Sequence, residues 1–172
     1  MPGSIDYPVN PPKQFEPSGD ALRDILTYLK TGSVDVFYEL FEDENPAIWI
    51  DWGEEYYNIV KMAAEVLGLD DLTAYFDNDS CDLLITYRGI EHRVRYPEEG
   101  VADRDITIIA LNKLLRPEHE LRLCNASRGS DTLALMAFPA ADWALLEHKY
   151  PAACAMHFLV INEPTVIFGG SD

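Results

Sequence analysis

Positive charge is scarce in this sequence, and between Lys30 and Lys61 there is none at all. The chain carries 13 Lys and Arg against 30 Asp and Glu, a formal net charge of −17. The excess lies mainly in residues 1–86, which hold 18 acids and 4 bases, whereas residues 87–172 hold 12 and 9. Such a chain is repelled by phosphate backbones and anionic lipid headgroups. We therefore expect no nucleic acid and no membrane among its partners, and a basic partner is favoured.

Long apolar runs and paired cysteines are also missing. No stretch approaches the roughly 20 apolar residues of a membrane-crossing helix, and the N-terminus lacks the features of a signal peptide. We therefore expect a soluble, cytoplasmic protein. Cys81, Cys124 and Cys154 are odd in number and far apart, so we interpret them as buried free thiols. With 48% hydrophobic residues the chain is too apolar to be disordered as a whole.

No catalytic motif is present. The sequence contains no GxSxG, no Walker-type loop and no GxGxxG. Its four histidines, at positions 92, 119, 148 and 157, are scattered, and none has the spacing that places two metal ligands on one helical face. Asp77, Asp79 and Asp82 suggest a calcium loop but lack its central Gly and terminal Glu, so a polar turn is favoured. We expect a protein that is not an enzyme and that has no cofactor, no metal and no catalytic residue.

The clearest structural signal is a β-hairpin over residues 81–96. A two-residue loop, Arg88-Gly89, joins Cys81–Tyr87 to Ile90–Tyr96 and fixes their register. Tyr87, Ile85, Leu83 and Cys81 are then predicted to face Ile90, His92, Val94 and Tyr96 on a mostly apolar side. Thr86, Leu84 and Asp82 are predicted to face Glu91, Arg93 and Arg95 on the opposite side.

The remaining elements are predicted from hydrophobic spacing and from turn residues. Residues 1–18 contain five prolines and are predicted to form an extended N-terminal arm. Helices are predicted over 21–31, 34–43, 53–67, 103–115 and 139–150, with Pro151 ending the last. Strands are predicted over 47–52, 72–76, 118–124, 132–138, 157–161 and 165–168. Residues 19–172 are thus expected to form a single α+β domain, in which helices pack against one side of a mainly antiparallel sheet.

The base-free stretch supplies the candidate partner-binding residues. Its eight acids are interleaved with more aromatic side chains than a merely solvated acidic face requires. An equally plausible interpretation makes 34–43 an ordinary amphipathic helix, with Phe37, Leu40 and Phe41 inward and the acids in water. The candidates are Glu42, Asp43, Glu44, Asp51, Glu54 and Glu55 for electrostatic attraction, and Trp49, Trp52, Tyr56 and Tyr57 for contact area.

Several short segments carry a resemblance to a known group of proteins. They are Ile50-Asp51-Trp52-Gly53-Glu54-Glu55, the hairpin, Asp103-Arg104-Asp105-Ile106, Leu111-Asn112, His119-Glu120-Leu121-Arg122 and Asp131-Thr132-Leu133. Over roughly residues 48–161 the layout resembles the small acidic immunity proteins encoded beside bacterial polymorphic toxins, which are effectors of contact-dependent inhibition and type VI secretion. The resemblance implies a cytoplasmic, non-catalytic protein that binds one toxin domain and blocks its active site.

Two hypotheses of different classes follow. The first is a binding protein, monomeric or a small homo-oligomer, whose partner is a cognate and basic protein toxin. The second is a small hydrolase-type enzyme whose site is assembled from residues distant in sequence. An exposed acidic and aromatic surface favours the binder, whereas a concave pocket of convergent polar groups with perturbed pKa values favours the enzyme.

Overall fold

The computed structural model describes residues 19–41, 46–97, 103–163 and 165–168. The predicted arm over residues 1–18 therefore lies outside the described residues. The described part is an α+β domain with a short 3₁₀ turn at Asn125–Ser127, and none of its helices is long and apolar enough to cross a membrane. Its elements are α1 Asp20–Thr31, α2 Val34–Phe41, β1 Ala47–Asp51, α3 Tyr56–Leu67, β2 Thr73–Asp77, β3 Asp82–Tyr87, β4 Ile90–Val94, α4 Arg104–Leu115, β5 His119–Cys124, β6 Thr132–Pro139, α5 Ala140–Lys149, α6 Pro151–His157 and β7 Phe158–Val160.

Two antiparallel sheets organise the chain. The larger has the strand order β1-β6-β5-β7, and the smaller has the order β2-β3-β4. At the centre of the larger sheet, β6 pairs with β1 through contacts such as Ile50↔Leu133, and with β5 through contacts such as Leu123↔Leu135. The α+β class predicted from the sequence is confirmed.

The larger sheet is covered on both faces, which corrects the expectation of helices on one side only. Along β6 every residue from Leu133 to Phe138 is buried. Leu133, Leu135 and Ala137 join the cluster that contains α3, α4 and the smaller sheet. Ala134, Met136 and Phe138 join a second cluster with α1, α2, α5 and α6. A strand without polar residues at alternate positions is buried on both faces, because side chains alternate between them.

The hairpin register is confirmed for the five pairs from Leu83 and Val94 to Tyr87 and Ile90. Leu83 pairs with Val94, Ile85 with His92 and Tyr87 with Ile90. Arg88 and Gly89 both have positive φ, at 55° and 73°, as a tight two-residue turn requires. The predicted outer pairs do not form, since β3 begins at Asp82 and β4 ends at Val94. Asp82 instead accepts a hydrogen bond from Arg93, at 2.8 Å from Nη1 to Oδ2.

The last third of the chain differs from prediction in three places. Pro151 does not only end α5 but occupies the first turn of α6, a position where its missing N–H costs no helical hydrogen bond. This second helix shortens the predicted strand at 157–161 to Phe158–Val160, and Thr165–Phe168 is not a strand.

All three cysteines are free, but only Cys124 and Cys154 are buried, whereas Cys81 is half-buried in the turn before β3.

The hairpin gives the first testable prediction. Leu83 is fully buried between its neighbours Phe76 and Val94, so Leu83→Ala is expected to lower the free energy of unfolding by about 2–5 kcal/mol. Ile90 lies on the same ribbon but is 60% exposed, so Ile90→Ala is expected to change it by no more than about 0.5 kcal/mol. Urea denaturation of both variants measures the difference, and equal effects would contradict the register.

Candidate partner-binding surface

The centre of the predicted site is a tight turn between β1 and α3. The Asp51 carboxylate accepts a hydrogen bond from the N–H of Gly53 at 2.7 Å, and the Asp51 carbonyl accepts one from Glu54 at 3.1 Å. An Asp side chain that bonds the backbone two residues later is a common way to build a turn. The chain therefore reverses at once from β1 into α3, and Trp52 lies at the tip of the turn.

Trp52 is held by the C-terminal segment 165–168. Trp52 is 52% exposed, and its ring meets the ring of Phe168 edge to face, with 5.3 Å between centroids. The N–H groups of Ile167 and Phe168 donate to the carboxylate of Asp105 at 2.9 and 3.0 Å. Asp105 lies in the first turn of α4, so that helix fixes the segment on which Trp52 rests. Between Trp52 and the loop 128–131 is a recess of about 160 Å³.

Arg104 joins this turn to the smaller sheet. Its guanidinium lies 5.5 Å from the ring centroid of Tyr56 and 6.0 Å from that of Phe168, and it donates to the Glu54 carbonyl at 3.2 Å. Tyr56 also contacts Phe76 and Tyr96, with centroids 6.1 and 5.8 Å away. Tyr56 is half-buried, so it packs toward the core more than toward solvent.

A larger recess, of about 450 Å³, lies between the start of α3 and β2. It is lined by Glu55, Tyr57, Ala74, Tyr75, Phe76 and Asn78. Tyr57 is 39% exposed and Tyr75 is 54% exposed. Tyr75 is not among the residues predicted from the sequence, although the alternation of side chains along β2 indicates its exposure. Ala74 and Phe76 pack on the core, so Tyr75 between them must face outward.

Trp49 lies on the other face of the larger sheet. It alternates with Ile48 and Ile50, which belong to the cluster of α3 and α4. Its ring is stacked on Tyr38 with 5.8 Å between centroids, and its indole N–H donates to the Phe41 carbonyl at 2.7 Å. Trp49 is half-buried beside a recess of about 400 Å³ that Asp131 also lines. The structure thus separates Trp49 from Tyr56.

The other predicted partner-binding residues are only partly brought together by the structure. Asp51, Trp52, Glu54 and Glu55 are brought together by the turn, whereas Glu42, Asp43 and Glu44 lie outside the described residues. The amphipathic interpretation of α2 is confirmed for Phe37 and Phe41, which are buried, while Leu40 is half-buried. Asp35 and Glu39 on the same helix are exposed.

Several titratable groups elsewhere in the described chain are buried or paired. The Tyr28 hydroxyl lies 3.0 Å from Nδ1 of His157, and burial raises the pKa of Tyr28 to about 12 and lowers the pKa of His157. Burial also raises the pKa of the Cys124 thiol, which keeps it protonated and unreactive. Buried Arg122 pairs with Glu120 and Glu147 and lies over the Trp143 ring. Within the described ranges, no three His, Cys, Asp or Glu residues are grouped to hold a metal ion.

Comparison with known proteins adds no relative. No protein-family model, no curated protein and no solved structure matches this chain significantly.

The hydrogen bonds from the main chain of Ile167 and Phe168 to the Asp105 carboxylate give the second prediction. Asp105→Ala removes the acceptor of two backbone N–H groups, and hydrogen bonds to charged groups contribute about 1.5–3 kcal/mol. Asp142→Ala is the matched control, because Asp142 also lies in the first turn of a helix and its loss removes the same helix-dipole contribution. In urea denaturation, Asp105→Ala is expected to be less stable than Asp142→Ala by about 2 kcal/mol. Equal stabilities would show that the carboxylate does not hold the segment.

Proposed function

We propose that this protein is a non-catalytic immunity protein that binds a cognate, cationic bacterial toxin domain and occludes its active site. The observation that carries the proposal is the β1–α3 turn, where Trp52 and Tyr57 are exposed beside Asp51 and Glu55. We define this set of four residues as the turn surface. Exposed aromatic residues of this size are enriched at protein interfaces, and the acids beside them favour a basic partner.

The two kinds of side chain on the turn surface have different roles in this proposal. Aromatic anchors contribute most of the binding free energy, because they bury a large area with few rotatable bonds. Carboxylates at the rim act mainly on the rate of encounter, since the attraction between exposed charges extends over about a Debye length. The overall charge of −17 reinforces that attraction. We further propose that the protein acts in the cytoplasm, as a monomer or a small homo-oligomer.

The aromatic contribution is tested by the dissociation rate from the domain that the neighbouring gene encodes. Trp52→Ala is expected to weaken the complex by about 2 kcal/mol or more, which is roughly thirtyfold and appears mainly as faster dissociation. Met156→Ala is the control, because Met156 is 68% exposed and lies on α6, on the other side of the larger sheet. Equal dissociation rates for the two variants would remove Trp52 from the interface. A failure of the wild-type protein to bind would favour the hydrolase hypothesis.

The electrostatic contribution is tested by the association rate. Glu55→Lys is expected to slow association several-fold and to flatten its dependence on salt between about 50 and 500 mM, a range over which the Debye length shortens about threefold. Reversal of Glu42, Asp43 and Glu44 to Lys is expected to act in the same direction. Glu163→Lys makes the same change of charge at an exposed residue that lines a separate recess, and it is expected to have little effect. An association rate independent of salt would contradict this role for the acids.

A further inference from the structure

β2 is an edge strand with an unused hydrogen-bonding side. In the smaller sheet its neighbour is β3, and β4 forms the opposite edge. Alternate residues of a strand direct their N–H and C=O groups away from the neighbouring strand. Among the described residues, the main chain of Thr73–Phe76 makes no hydrogen bond outside its ladder with β3. Such a row of free groups is a template for another strand.

The sequence of β2 lacks the features that normally protect such an edge. Natural edge strands carry Lys, Pro, a bulge or alternating charges, which prevent another strand from pairing. β2 has the sequence Thr-Ala-Tyr-Phe-Asp, and its single charge is at the end. The β4 edge differs, because it carries Glu91 and Arg93 and is followed by Arg95.

The recess beside this edge is lined by aromatic and acidic side chains. The recess of about 450 Å³ between β2 and α3 has exposed Tyr57 and Tyr75 on its walls and Glu55 at its margin. Asp77 ends the strand, and a hydrogen bond from the Ser80 hydroxyl lowers the pKa of its carboxyl, so Asp77 is ionised at neutral pH. The nearby bases are already paired, Arg93 with Asp82 and Lys61 with Glu65.

We propose that the free edge of β2 binds an extended, basic segment of the partner as a fourth strand of the smaller sheet. The main chain of that segment pairs with Thr73–Asp77, its apolar atoms pack on Tyr57 and Tyr75, and its Lys or Arg side chains lie near Glu55 and Asp77. Backbone pairing gives affinity in this mode, and pockets for alternate side chains give specificity. This inference rests on the proposed function in one respect, because the positive charge of the partner is taken from it.

Charge argues against two other occupants. A second copy of this chain carries the same net charge of −17, and a parallel pair of β2 strands would also set the two Asp77 carboxylates side by side, so like charges oppose this occupant. The N-terminal residues 1–18 carry Asp6 and Glu16 against Lys13 alone, so they lack the positive charge that this edge attracts.

The test uses a blocked peptide of alternating threonine and lysine as the probe, with the full-length protein. In an NMR titration the amide signals of residues 73–77 are expected to shift, and their hydrogen exchange is expected to slow. The same peptide N-methylated at alternate residues keeps its charge but cannot donate those hydrogen bonds, so it is expected to bind at least about tenfold more weakly. Equal binding of the two peptides would overturn the proposal, because the attraction would then be electrostatic alone.

Matched variants on the two edges separate local pairing from overall charge. Tyr75→Lys and Ile90→Lys both replace an exposed side chain by the same charge, on β2 and on β4. Tyr75→Lys is expected to weaken peptide binding about tenfold, because Lys protects the edge, and Ile90→Lys less than twofold. Equal losses in the two variants would overturn the proposal. The proposal would also be overturned if the wild-type protein were a dimer that Tyr75→Lys converts to a monomer. It would likewise be overturned if the peptide bound only after deletion of residues 1–17.

The same variants distinguish failure of this inference from failure of the proposed function. If the domain encoded by the neighbouring gene binds the wild-type protein and Tyr75→Lys equally well, the edge is not part of the interface, although the proposed function stands. If that domain does not bind the wild-type protein, the proposed function fails. The peptide measurement on the wild-type protein still decides whether the edge accepts a basic strand.

Discussion

The fold is arranged around β6, because the side chains of this strand are buried on both faces of the larger sheet. Its side chains from Leu133 to Phe138 enter two separate hydrophobic clusters, so neither face can be left to solvent. Burial of this apolar surface is the main favourable contribution to folding. One cluster requires α1, α2, α5 and α6, and the other requires α3, α4 and the smaller sheet. The position of every element near the turn surface follows from this division.

Local sequence patterns predicted the hairpin well. They predicted less well which helices and strands cover each face of the larger sheet. A two-residue loop fixes the partner of each residue in both strands, so Leu83 and Val94 were matched from the sequence alone. The two-sided coverage of β6 was not foreseen, because a short apolar run has no period that distinguishes one buried face from two. Asn112 shows the same limit. Within an apolar helix it is buried, and its amide bonds the main chain of Leu121 and Ile161, which are partners that helical spacing does not reveal.

The candidate surface was only partly predictable for a related reason. Residues Trp49 to Tyr57 are predicted from the sequence as one patch, but strand alternation puts Trp49 on the opposite face of the sheet from Tyr56. Among the contacts that position Trp52 and Tyr56, those of Arg104, Asp105 and Phe168 come from at least 48 residues away in the chain. Tyr75 comes from a strand that follows α3. Composition therefore predicted that the surface is acidic and aromatic. Which residues belong to it depends on contacts between segments that are distant in the chain.

An unprotected edge strand such as β2 is also open to pairing with a second copy of this chain. Strands such as β2 associate readily, because each new ladder satisfies free N–H and C=O groups. Exposed charges interact over about 8 Å at physiological salt, so only acids close to the edge oppose that association. In a parallel pair of β2 strands the two Asp77 carboxylates would be neighbours and would repel, whereas in an antiparallel pair each Asp77 would lie opposite Thr73. A basic strand would meet attraction from Glu55 and Asp77, so local charge favours a basic partner over parallel pairing with a second copy.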